Sequence, residues 1–210
     1  MISTYAELQS AVTNWLRRGG DSDLVTRSPE LITLCEARFN RDLRHPSMLS
    51  QTDLTLTSGT PTIALPTDYL QTRALVTQTT PKRILRYVTP TQLDTNWPIS
   101  STGIPTEYTI IGANIKLGKT PDSAYTLEHT HYSRITALSD SDTSNWILAS
   151  HPDAYLYGAL MQAAPYMSDD ERIQTWGSFL KAAIDGMNGE AQRMAFSGAP
   201  LTASVGVYTG

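Results

Sequence analysis

Twenty-one of the 28 threonines fall between residues 51 and 143, and in the same stretch the apolar period changes from helical to alternating. β-branched side chains stiffen the backbone toward extended conformations and pack well on a pleated surface. A chain that changes period twice must build two kinds of layer. The pattern predicts an α+β fold in which residues 1–50 and 144–198 close on each other as one discontinuous helical bundle. A small antiparallel β-sandwich or barrel, residues 51–143, is inserted between them, and residues 199–210 form an extended tail.

The helical flanks carry their own punctuation. Thr4 and Glu7 form a capping box before Tyr5, Leu8, Val12, Trp15 and Leu16, which recur at helical spacing, and Gly19-Gly20 stops that helix. Ser28-Pro29-Glu30 reads as a second start, with proline at the first helical position. There Leu31, Ile32, Cys35, Phe39 and Leu43 share one arc, and Arg38, Arg41 and Arg44 lie opposite. After the β segment, His151-Pro152-Asp153 opens a helix that is apolar almost all round, as befits an element buried on several sides. Ser168 and Glu171 cap a last helix running to about Ala195, with a stripe of Ile173, Trp176, Leu180, Ala183, Ile184, Met187, Ala191 and Met194. The two flanks have only each other to cover, so Trp15, Phe39, Leu156, Leu160, Trp176 and Leu180 are expected in one core.

A small sandwich or barrel of about six strands is expected in the insert, the candidates being Gln51–Leu56, Thr62–Leu65, Arg73–Thr77, Arg83–Val88, Glu107–Ile111 and Asn114–Leu117 with a hairpin turn near Gly112-Ala113, and Tyr125–Ser133. Thr89-Pro90 opens a short helix to Asp94.

Composition narrows the function more by exclusion than by indication. Charged residues are 17% of the chain, below the usual ~25%, which suits a surface covered by neighbours. The net charge of −4 argues against a protein that grips phosphates through a basic face. One cysteine permits no intrachain disulfide. No apolar run approaches a membrane span and no signal-peptide pattern opens the chain, so a soluble product of a cytoplasm, without membrane association, is expected.

No constellation of residues names a chemistry. Gly112–Thr120 reads GANIKLGKT, but five residues separate the first glycine from Gly118-Lys119, where a phosphate loop needs four. His129 and His131 share a strand face without a third ligand nearby, so packing or an interface is the expected role. Asp169, Asp170 and Glu171 suit a helix N-terminus rather than acid–base work. Cys35 sits on an apolar arc and reads as a buried structural thiol. Catalytic, metal and cofactor residues are therefore all expected to be none. The arginine face is a solvated surface with an Arg38–Asp42 pair, a contact between subunits, or, third, a contact with DNA, for which three arginines in an acidic chain make a weak footprint. The tail lacks any charge and carries Leu201, Val205, Val207 and Tyr208, anchors an extended segment would use on a partner.

Three passages carry a family resemblance: Ala37–Arg44 (ARFNRDLR), Leu65–Leu70 (LPTDYL), and the long run from Tyr108-Thr109-Ile110-Ile111-Gly112 to Asn145–Leu160 (NWILASHPDAYLYGAL). In order and spacing they resemble the head–tail adaptor, or head-completion, proteins of tailed bacteriophages, chiefly those with short tails. The resemblance implies a non-enzymatic virion protein made in the host bacterial cytoplasm and placed at the head–tail junction. It further implies a ring of about twelve copies below the portal protein, continuing the DNA channel and bearing tail or nozzle proteins. The tail would then bind the portal, and Arg38, Arg41 and Arg44 would meet a neighbouring subunit. Mild acidity suits a conduit in which DNA must slide, without sequence-specific binding. Two competing readings are another tail or nozzle component and a cell-wall glycosidase, the latter lacking the separated acid pair such chemistry needs. A monomeric binding module is a third.

Overall fold

The structure, a computed structural model, describes residues 2–16, 21–99, 101–163 and 172–195. The chain divides into two compact units, Met1–Ser47 with Thr136–Gly210, and Met48–Ile135. In chain order the first unit holds α1 (Tyr5–Trp15) and α2 (Ser22–Asp42), then, after the second unit, α4 (Trp146–Ser150), α5 (Pro152–Ala163) and α6 (Ile173–Ala195). The second unit holds β1 (Leu49–Leu56), β2 (Thr62–Ala64), β3 (Tyr69–Thr77), β4 (Arg83–Ile84), β5 (Arg86–Tyr87), α3 (Pro90–Asn96), β6 (Glu107–Ile111), β7 (Asn114–Leu117) and β8 (Tyr125–Ser133).

α1 opens on the expected capping box: Thr4 Oγ1 accepts from the Glu7 amide at 3.3 Å and Glu7 Oε2 from the Thr4 amide at 3.2 Å. The start of α2 differs from the expectation. Asp21 is its N-cap, accepting from the amides of Asp23 and Leu24, and Pro29 lies inside the helix. Proline leaves the Val25 carbonyl without its amide donor. The buried Ser28 hydroxyl donates to that oxygen at 2.8 Å, so the helix passes through the proline instead of starting there.

α5 is the hub of this unit and packs on α1, α2, α4 and α6. Its all-round apolar sequence is explained by that position. Phe39, Leu156, Leu160, Trp176 and Leu180 are buried as expected, but Trp15 is 50% exposed and sets its ring edge-on to Tyr157, with ring centroids 6.2 Å apart. Gly158 is where α2 comes closest. A Cβ there would stand 2.1 Å from Cys35 Sγ and 3.6 Å from Leu180 Cδ1, so the missing side chain sets the spacing of three helices.

A polar network runs through this core. Glu36, 4% exposed, accepts from the Leu138 amide at 2.8 Å and the Tyr155 hydroxyl at 3.1 Å. Tyr155 accepts in turn from Asn145 Nδ2 at 2.6 Å, and Asn145 caps α4 through the Leu148 amide at 3.0 Å. Each polar group is satisfied, which is what makes its burial tolerable.

The second unit has eight strands in two four-stranded sheets, ordered β1-β8-β3-β4 and β2-β7-β6-β5. All pairs are antiparallel except β5–β6. Leu56, Leu75 and Leu127 from the first sheet cluster with Tyr108, Ile115 and Leu117 from the second and with Leu85. Gly112, at φ +60°, makes the β6–β7 turn between Ile111 and its partner Asn114, a left-handed conformation that favours glycine.

The segment expected as one strand, Arg83–Val88, is split. β4 pairs with β3 in one sheet and β5 with β6 in the other, so a six-residue segment bridges two sheet edges and supplies one strand more than the segments expected.

Candidate functional site

Each residue singled out in the sequence has a definite place. Arg38 Nε contacts Asp42 Oδ2 at 3.2 Å, and its Nη1 reaches Met161 Sδ at 3.1 Å. Arg44 turns back on its own helix end, donating to the carbonyls of Asn40 at 2.9 Å and Leu43 at 2.5 Å. Arg41 is exposed, with neither ion pair nor hydrogen bond among the described residues. The three arginines thus differ: Arg44 caps, Arg38 is shared, and Arg41 faces outward. Leu201, Val205, Val207 and Tyr208 lie outside the described residues, as do Gly19-Gly20, Ser168–Glu171 and Ser197-Gly198.

The glycine motif is a hairpin. Gly112 turns between β6 and β7, and Lys119 Nζ stands over the Trp97 ring at 4.9 Å instead of beside a helix N-terminus. Trp97 is held by Glu107, whose Oε2 accepts from Trp97 Nε1 at 3.1 Å and Asn96 Nδ2 at 2.9 Å, while Arg86 pairs with Oε1. The Asn96 amide and then the Arg86 guanidinium hold the Glu107 carboxyl below the usual carboxylate range.

His129 and His131 share the inner face of β8, are wholly buried and stack with ring centroids 4.6 Å apart. Thr72 Oγ1 lies 3.0 Å from His129 Nε2, and the Tyr69 ring covers both imidazoles. Burial, then the neighbouring His131, pushes His129 down to about 4. Asp68 Oδ1 approaches His131 Nε2 only to 3.6 Å, and among the described residues no three metal-ligating side chains converge. The pair is a packing feature of the sheet. Burial raises the Cys35 thiol strongly, which makes it a poor nucleophile.

Two surfaces that the sequence reading did not single out have the character of contact sites. On the helical unit, a cleft of about 500 Å³ runs between α5 and α6. Its floor is Ala182, Ala183 and Met187, and Tyr157 and Phe179 stand at one side with rings 5.1 Å apart. Asp153 and Glu190 line it as well, the latter 3.4 Å from His151 Nε2. On the β unit, the bridging segment Lys82–Tyr87 exposes Ile84 (77%) and Tyr87 (55%) among Lys82, Arg83 and Arg86. Both escaped notice for the same reason. The cleft is made by helices distant in sequence, and the ribbon reads as one alternating strand unless its switch of sheets is known. Three cations around an isoleucine in a net-acidic chain were the available signal.

Among the described residues no helix is long and apolar enough to cross a membrane. No curated protein matches the chain. A family model described as the SU10 adaptor protein matches residues 3–204, spanning both units.

Proposed function

The chain belongs to the SU10 adaptor protein family, structural bacteriophage proteins of the head–tail junction, and on that premise we propose that it forms a ring, of about twelve copies, connecting the portal to the tail and continuing the DNA channel. The observation that carries this reading is the unbroken family match over residues 3–204, which takes in the helical flanks and the β insert together.

The surface supports it. Large apolar side chains stand exposed on both units: Trp15, Val25, Leu34 and Phe179 on the helices, Ile84, Tyr87 and Ile111 on the sheets, and Ile99 in the loop after α3. These side chains are available for contact with partners, Ile84 and Tyr87 being near neighbours on one ribbon. The reading takes the five helices of the first unit as one bundle and the two sheets as a sandwich, the mixed-sheet hydrophobic cluster being its support. Its role is structural rather than catalytic. Leu201, Val205, Val207 and Tyr208 dock the uncharged tail on the portal. Each tail binds weakly, but a ring presents many at once and avidity makes the joint durable.

The test is the native mass of the purified protein, alone and mixed with purified portal protein. A ring on the portal is expected, and a chain lacking residues 199–210 should fold and fail to join. A full-length protein that stays monomeric with portal present overturns the ring. Undiminished portal binding by the truncated chain removes the tail from the account.

A further inference from the structure

The Lys82–Tyr87 ribbon is held more firmly than its exposure suggests. Leu85 and Val88 are buried at 4% and 7% exposure and anchor it at two points. Its backbone is bonded to both sheets: the Leu85 amide donates to the Leu75 carbonyl at 2.8 Å, the Arg86 amide to Thr106 at 2.9 Å, and the Val88 amide to Tyr108 at 3.0 Å. Tyr87 packs edge-on against the buried Tyr108 ring at 5.6 Å. Ile84 and Tyr87 are therefore kept outward by a rigid frame, and a preorganised apolar knob loses little entropy on binding. Lys82 contacts Glu128 at 3.6 Å and Arg86 pairs with Glu107, whereas Arg83 has no ion pair among the described residues.

The α5/α6 cleft has the complementary character. Its floor and one wall are apolar, and its carboxylates, Asp153 and Glu190, stand without a lysine or arginine partner among the described residues. An apolar slot with acidic margins suits an apolar knob flanked by cations, since the ion pairs at the rim set register while the buried side chain supplies affinity.

We propose that the Lys82–Tyr87 ribbon of one copy seats in the α5/α6 cleft of a second copy, Ile84 entering the slot beside Tyr157 and Phe179 and Arg83 facing Asp153 and Glu190. The inference rests on the ring reading and names the contact that builds it. Knob and slot are different surfaces, so the contact is head-to-tail and repeats from copy to copy, closing into a ring when the rotation allows.

Two measurements decide it, each made on the full chain alone and with portal protein. Ile84→Asp should raise the dissociation constant for self-association at least tenfold while leaving the thermal melt unchanged. Separately, I84C protein mixed with A183C protein should give a disulfide-linked dimer under mild oxidation, and neither variant alone should, the native Cys35 being buried. A chain that assembles normally with I84D and yields no crosslink overturns this contact and leaves the ring standing. A wild-type chain that never self-associates, with or without portal, removes the ring and this contact together.

Discussion

Replacing Gly158 with alanine sets a methyl carbon 2.1 Å from Cys35 Sγ, well inside the roughly 3.5–4 Å at which such atoms rest. Relief requires that the Cys35 side chain rotate within a packed core or that α2 and α5 separate. Overpacking of this kind costs about 1–3 kcal/mol. Against it stands the gain from replacing an interior helical glycine, about 0.8–1 kcal/mol, so overpacking at the middle of its range leaves a net loss of about 1 kcal/mol, or roughly 2–4 °C in melting temperature for a chain of this size. The same change at Gly177 or Gly186 on α6 meets nothing within 4 Å and should stabilise by about 0.5–1 kcal/mol. The sign alone thus separates the crowded glycine from the open ones. A double-mutant cycle sharpens the test: Cys35→Ala removes the clashing sulfur, so C35A/G158A should be more stable than the sum of its parts by about 1–2 kcal/mol. Denaturant melts of the four proteins, with G177A as control, supply the numbers. If G158A is as stable as the parent, or if C35A brings no relief, the close approach of α2 and α5 is not what holds position 158 to glycine.

Further outcomes follow from the buried titratable groups and the arginine face. His129 is held at about 4, below the ~6.5 of an unfolded histidine; its contribution is complete above pH 6.5 and is lost as pH falls toward 4, by about 3 kcal/mol in all. Melts of the parent should weaken across that window and H129Q should show a flatter dependence; identical slopes refute it. Burial raises the Glu36 carboxyl, so its contribution is present below the unfolded carboxylate range and lost as pH rises through the folded value. E36Q keeps an acceptor for Leu138 and Tyr155, and should erase that decline while leaving the spectrum of the fold intact. Arg41→Glu, at an exposed position, should change the melt by less than about 0.5 kcal/mol yet weaken assembly measured by native mass; rings of normal stability would make the face merely solvated.

The features legible in the sequence are the local ones. Thr4 with Glu7 forms the capping box expected, Thr89-Pro90 opens its short helix, the alternation around Leu54 and Leu127 marks strands, and the apolar girth of α5 announces a central helix. The start of α2 lies upstream of the expected one because Ser28-Pro29-Glu30 has the residue types of a helix beginning, a capping serine and a proline at the first helical position. Only the hydrogen bond from Ser28 to Val25 shows how the helix continues through it. Trp15 was expected inside on hydrophobicity, although a helix end can leave a large ring at the rim. Ile84 and Tyr87 follow strand alternation poorly because their segment serves two sheets in turn. The cleft between α5 and α6 depends on a pairing that no local pattern encodes.

The helical unit is assembled from both ends of the chain, and that has a consequence for biosynthesis. α1 and α2 leave the ribosome long before α5, the helix they pack on. At ~5–20 residues per second the 110 residues from Asp42 to Pro152 take on the order of 5–20 s to synthesise. Through that interval the apolar stripe of α2 has only α1 to cover it, while the contiguous second unit, Met48–Ile135, completes all its strands before α5 is made. A chain that terminates early leaves that stripe without α5, a target for chaperones and proteases. Completion of the chain is thus what lets α2 bury its stripe on α5, and truncated chains are expected to be cleared faster than the full one, as pulse–chase labelling would show.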